Sequence, residues 1–406
     1  LGESANGVLE IHPITSGGAH SAQTTPSQSL ATVASSRTYN VTTTGTLGQY
    51  VPAVPFANFI GKAAPNQLGQ ILSLQQVAQS AAYRTNFGLV EANGKSAEVV
   101  MSVFDNGGVK LKDIPVTINA FQQIQLNSML ASNGITNLGD GRVEVKVASG
   151  DGKVTTYASV VDNFTNDPLL VSGVTLGQIS SSKFVLPGVA ALNNGNANWR
   201  TDMRVFNPST SAQNATLTFY PLGNAGPSIA KSMSIGAGQV TALDDVVQTL
   251  FGQANAGGAV HVTTPTDSNL VVTGRTYDKT AKGTFGQFIP AVTPAEALGL
   301  GGRALQILQV EDSSRYRTNI GIAEVTGKPV TVEIAAILPD SRVTPSIQMT
   351  LGANEYRQDA IIQEMGLGNA YNTRITVRVV SGEGKVMAYG SVIDMSTQDP
   401  TYVPAQ

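Results

Sequence analysis

The chain has no cysteine, three histidines and one tryptophan. Without cysteine there are no disulfides, no thiolate metal sites and no thiol nucleophile. Charged residues make up 13% of the 406 positions, about half the roughly 25% usual in soluble proteins. The 25 basic side chains face 28 acidic ones, which leaves no basic footprint for nucleic acid or acidic lipid. No apolar run reaches the ~18 residues of a spanning helix, so membrane insertion is not expected. The motifs of common chemistry are missing too: no G-x-S-x-G elbow, no H-E-x-x-H and no phosphate-binding loop. These absences predict a chain without catalytic residues, cofactor or metal.

What the chain does have is repetition. Arg37 to Val54 (RTYNVTTTGTLGQYVPAV) returns 238 positions on as Arg275 to Val292 (RTYDKTAKGTFGQFIPAV), with eleven of eighteen residues identical. Ser149 to Val171 returns 232 positions on as Ser381 to Val403, with thirteen of twenty-three identical. Within this long period lies a shorter one, since Tyr83-Arg84-Thr85-Asn86, Trp199-Arg200-Thr201-Asp202 and Tyr316-Arg317-Thr318-Asn319 open similar series of elements. The order defines two unit types, A and B. Residues 1–55 are the end of an A unit, 66–171 a B unit, 184–292 an A unit and 303–406 a B unit.

Arg142 to Val147 and Arg374 to Val379 alternate polar and apolar residues, the pattern of a half-buried strand. Ser149-Gly150-Asp151-Gly152 and Ser381-Gly382-Glu383-Gly384 supply glycines for tight hairpins. One helical pattern recurs: Leu126, Met129 and Leu130; Leu243, Val246, Val247 and Leu250; Ile361, Ile362 and Met365. The expectation is an all-β chain of tandem sandwiches, each of six to eight strands with one short crossover helix.

The opening of the chain matches the end of an A unit, because Gly7 to Ile11 aligns with Gly258 to Val262. With no initiator methionine or signal peptide, the chain reads as processed or trimmed. Val8 to Ile11 and Leu30 to Tyr39 are expected to be strands of a sandwich whose other strands lie outside residues 1–55. Unpaired strands template new ones, so Val8, Leu9, Ile11, Val33 and Tyr39 are candidates for pairing with an upstream segment, another copy or the adjoining B unit.

Spacing also suggests three structural salt bridges. Arg84 precedes Asp162 by 78 residues, Arg200 precedes Asp278 by 78, and Arg317 precedes Asp394 by 77. Other polar clusters have simpler readings. Asp244-Asp245 stands where acids complement a helix dipole, and Asp105-Asn106-Gly107-Gly108, Asp151-Gly152 and Asp267-Ser268-Asn269 are turn clusters without calcium-loop spacing. His261 has Glu10 in its place in the first copy, which argues against a base. Aromatics, at 6% of the chain, are thin material for a glycan-binding face.

At the RTY…GT-G-Q-x-x-PA and YRTN motifs the chain resembles tandem immunoglobulin-like repeats of secreted and cell-surface bacterial proteins. That resemblance covers nearly the whole chain and is architectural; the antibody cysteine pair is missing. It implies an extracellular or cell-surface structural protein, a stalk, adhesin or filament subunit that self-associates or joins an upstream segment. The alternative it implies is a glycan-binding accessory module of a larger secreted enzyme.

Overall fold

Val143, Val145 and Val147 are buried along the strand Leu138–Gly150, with Lys146 exposed between them, so the alternation in the sequence is the alternation in space. Ile375, Val377 and Val379 are buried in the same way along Ala370–Gly382. Both strands end in a glycine at positive φ, 85° at Gly150 and 96° at Gly382, before the chain turns back. A computed structural model describes residues 7–11, 33–63, 68–195 and 197–406. The chain is all-β, 59% strand and 6% helix.

The strands form paired sheets that enclose separate apolar cores. Over residues 72–175 one sheet runs Pro168–Ser172, Val154–Asp162, Tyr83–Glu91, Gln123–Leu126. The facing sheet runs Val174–Thr175, Leu72–Gln79, Leu138–Gly150, Ala97–Phe104, Lys110–Ile118. Leu74, Phe87, Val99 and Met101 lie fully buried between them. The last unit repeats this order with Pro400–Pro404, Val386–Asp394, Tyr316–Glu324, Tyr356–Asp359 in one sheet. Its other sheet is Leu305–Asp312, Ala370–Gly382, Val330–Ile337, Ile347–Leu351. The middle unit has the same order again, except that its two sheets join where Leu192 pairs with Trp199 and Asn193 with Asn198.

The helical pattern contracts to single turns. α1 (Met129–Ser132), α2 (Val246–Thr249) and α3 (Ile361–Glu364) each press two apolar side chains into their core: Met129 and Leu130, Val246 and Val247, Ile361 and Ile362. Such burial stabilises by roughly 1.5–3 kcal/mol per side chain. Leu126 and Leu243, predicted on the helices, lie instead in the preceding strands.

The opening of the chain departs from expectation. Val8 to Ile11 is not a strand; Val8, Leu9 and Ile11 are exposed. Its counterpart Gly258–Val262 is flanked by Ser181–Asn193 and Gln213–Pro221, whereas this segment has no described strand beside it. Residues 30–32 of the second predicted strand lie outside the described residues. From Ser35 onward a strand does form. β1 (Ser35–Val41) pairs with β2 (Thr46–Pro52) as an antiparallel hairpin, which docks on the final unit with Tyr50 in that unit's core.

Candidate functional site

The repeated block Arg37–Val54 and Arg275–Val292 builds two equivalent hairpins, each seated on a B unit. In the first junction the Thr46 N–H and hydroxyl donate to Asp394 Oδ2, both at 2.9 Å, and the Gly48 N–H donates to Asp399 Oδ2 at 2.9 Å. In the second junction the Thr284 N–H and hydroxyl donate to Asp162 Oδ2 at 2.9 and 2.7 Å, and the Gly286 N–H donates to Asp167 Oδ2 at 2.8 Å. Arg37 Nη1 donates to the Tyr316 hydroxyl at 3.2 Å, and Arg275 Nη1 to the Tyr83 hydroxyl at 3.0 Å. Residues 35–52 thus stand on residues 303–406 as residues 271–290 stand on residues 66–171.

Each outer aspartate is fixed from both sides. The Phe164 and Thr165 N–H groups donate to Asp162 Oδ1, and the Ser396 and Thr397 N–H groups to Asp394 Oδ1. Burial raises the pKa of both carboxyls, but these hydrogen bonds outweigh it and hold both below the usual range. Close backbone approach is required here: a Cβ on Gly45 would lie 2.7 Å from Asp394 Oδ1, and one on Gly283 2.9 Å from Asp162 Oδ1.

None of the three predicted salt bridges forms. The constant spacing reports strand register instead: Tyr83 lies opposite Asp162, Trp199 opposite Asp278, and Tyr316 opposite Asp394. Side chains alternate along a strand, so each arginine, one residue further, points to the other face of the sheet. Arg84 donates to Asn163 Oδ1 at 2.7 Å and Asn166 Oδ1 at 3.3 Å. Arg317 donates to Gln398 Oε1 at 3.0 Å, and Arg200 Nε pairs with Asp245 at 3.2 Å. Asp278 accepts the Asn198 N–H at 2.6 Å. Asp244 and Asp245 are therefore ion-pair partners rather than helix-dipole acids, since Asp244 meets Arg204 at 2.6 Å.

The inner aspartates were not singled out from the sequence. Asp167 and Asp399 are 3% and 0% exposed, and their carboxyls lie close enough to influence each other's ionisation. Each gives Oδ2 to a hairpin glycine, and each has an Oδ1 with no other donor. Two ionised carboxylates buried side by side repel, which favours a single proton held by the pair. Burial pushes Asp167 up to about 7, against the pull of the Gly286 N–H. Burial and the neighbouring Asp167 push Asp399 well above the carboxylate range. The junctions also interlock, because Ser159 donates to Gln49 Oε1 and Ser391 to Gln287 Oε1, each at 3.1 Å. Each hairpin thereby touches both B units. The signal was in the repeat itself: Asp162…Asp167-Pro168 and Asp394…Asp399-Pro400 share one spacing.

The two hairpins differ at their outer edge. Val271–Thr280 is covered by Asn198–Phe206, whereas β1 pairs with β2 alone among the described residues. Two adjoining cavities of about 290 and 280 Å³ open beside β1. The first is lined by Arg37, the half-exposed Tyr39, Tyr50, Glu311, Arg315 and Tyr316, and the second by Val33, Gln309, Asn372 and Arg374. Val33 and Tyr39 line these cavities beside β1, while Val8, Leu9 and Ile11 line neither. Neither cavity is lined by Asp167 or Asp399. No protein-family model matches the chain, and none of the curated proteins matches it by sequence.

Proposed function

We propose that the chain is a non-enzymatic structural or adhesive repeat protein of the bacterial cell surface or exterior. In this reading its immunoglobulin-like sandwiches assemble into a filament or larger body by sharing strands. The observation that carries it is the edge of β1, uncovered among the described residues, beside a covered edge of the same sequence type at Val271–Thr280. An open edge presents a row of unpaired N–H and C=O groups, and adding a strand there binds through main-chain hydrogen bonds. Sparse charge supports assembly, because 13% charged residues and a net charge of −3 offer little repulsion between copies. Negative-stain microscopy of the native material tests the reading: fibres or ordered arrays support it, and uniform single particles oppose it.

A second reading rests on the first cavity. Tyr39, Tyr50 and Tyr316 line it together with Arg37 and Arg315, a mixture of rings and donors that suits a sugar. The chain would then be a glycan-binding module of a larger secreted enzyme. Saturable binding of an oligosaccharide, lost in Tyr39→Ala, would favour it.

A further inference from the structure

We infer that the groove along β1 receives an extended strand, antiparallel to β1, carrying a hydrogen-bond donor above Asn372 and, two residues on, an aromatic ring against Val33 and Arg374. The inference rests on the strand-sharing reading and names the partner that reading requires. Its template lies inside the chain. At the second junction the strand Asn198–Phe206 runs antiparallel to Val271–Thr280, with Arg200 opposite Tyr277, Asp202 opposite Arg275 and Arg204 opposite Thr273. Arg204 Nε donates to Asp140 Oδ1 at 2.7 Å, and Phe206 sits buried with Val271 and Leu176, its ring centroid 4.4 Å from the Arg142 guanidinium. By the repeat, Asp140 becomes Asn372, Arg142 becomes Arg374, and Val271 becomes Val33. Those three line the second cavity, and Arg374 is exposed where Arg142 is 3% exposed.

The backbone of β1 is set for this. Ala53 N–H donates to the Ala34 carbonyl and Thr42 N–H to the Gly45 carbonyl, which fixes the phase of the β1–β2 ladder. Antiparallel pairing alternates, so the N–H and C=O groups of Ser35, Arg37, Tyr39 and Val41 turn away from β2 toward the groove. Gln309 Nε2 already donates to the outward Ser35 carbonyl at 3.1 Å. Thr38 takes the place of Thr276, whose hydroxyl meets that of Thr201 at 2.8 Å, so a threonine in the incoming strand would find the same contact. Ala78 and Ala82 at the covered junction become Glu311 and Arg315 at the open one, which asks for small polar side chains over the first cavity. The chain's own strand of this type is held between Val240–Leu243 and Val271–Thr280, so among the described residues no strand of this type is free to enter the groove, and the occupant is a further strand of the same type.

The test titrates a peptide with the sequence of Asn198–Phe206 into the full chain, followed by calorimetry and amide hydrogen exchange. Saturable one-to-one binding that slows exchange at Arg37 and Tyr39 is expected. Tyr39→Pro, which removes an outward N–H, should abolish binding, and Arg374→Ala or a Phe206→Ser peptide should weaken it roughly fivefold. Arg374 is exposed, so its substitution leaves the fold intact and keeps the test decisive if Tyr39→Pro does not fold. No saturable binding, or binding indifferent to Arg374→Ala and the peptide change, overturns the inference. So does sedimentation showing that a second copy of the chain covers the edge. Fibres in the native material without peptide binding would reject this occupant and leave strand sharing standing; peptide binding without fibres would do the reverse.

Discussion

Asp167 and Asp399, 232 positions apart in sequence, each hold a hairpin glycine N–H with Oδ2, and each buried carboxyl feels the other. The pair links the two B units at the point where both hairpins converge. It also sets a pH dependence. Asp167 is raised to about 7 in the folded chain, while an unfolded aspartate titrates near 4. Between those values the unfolded chain has released a proton that the folded chain keeps, so stability falls as pH rises. The slope for one proton is about 1.4 kcal/mol per pH unit, and it levels off above the folded value.

Chemical denaturation at pH 5 and pH 8 checks this. The parent should be less stable at pH 8. Asp167→Asn can accept from Gly286 and donate to Asp399 without a proton, so the variant should be the more stable protein at pH 8. A parent curve that rises across this range would contradict the shared proton.

Asp162 and Asp394 act in the opposite sense, since their pKa values are depressed. Their contribution is complete above the unfolded value near 4 and is lost as pH falls below it. Asp394→Ala removes the acceptor of Thr46, Ser396 and Thr397 and should cost about 1–3 kcal/mol for the groups left unpaired. The expected result is fast amide exchange throughout residues 35–52, with the second hairpin unchanged.

Gly45→Ala places a methyl 2.7 Å from Asp394 Oδ1. The first hairpin must shift or lose that contact, and a loss of about 1–3 kcal/mol is expected. Gly134→Ala is a poor control because φ is +82° there; Gly61→Ala, with open space around it, should be nearly silent.

The arginines separate by burial. Arg204 has 7% of its side chain exposed and bridges Asp140 of the B unit to Asp244 of the A unit. Arg204→Met should cost about 1–3 kcal/mol, discounted from a fully buried pair because Asp244 is 70% exposed. Arg84→Ala loses only amide contacts and should stay within about 0.5 kcal/mol. Thermal unfolding of both variants distinguishes them.

Much of the fold was legible because a two-residue period and internal repetition are both written in the sequence. Val143 and Ile375 show the first, and the two copies of the GT-G-Q block show the second. Register was legible as well, since the constant Arg-to-Asp spacing reflects the Tyr83–Asp162 pairing. Its chemistry was misassigned by one residue, and one residue reverses the face. The role of Asp162 and Asp394 was hidden because most of their partners are backbone N–H groups, which no residue type announces, and the threonine hydroxyls come from another unit. The Asp167–Asp399 contact joins different repeats, and spacing within a unit carries no information about contacts between units. Val8 to Ile11 misled because a strand-forming composition sets a propensity, whereas a strand also needs a paired neighbour, which the counterpart Gly258–Val262 has on both sides.

The central claim is that the edge of β1, open among the described residues, awaits a strand, and amide hydrogen exchange tests it most directly. In the isolated chain the N–H groups of Arg37 and Tyr39 should exchange fast, while those of Arg275 and Tyr277, covered by Asn198–Phe206, exchange slowly. In the native material all four should be slow. Arg37 and Tyr39 that exchange fast in both states, or slowly in both, would contradict the account.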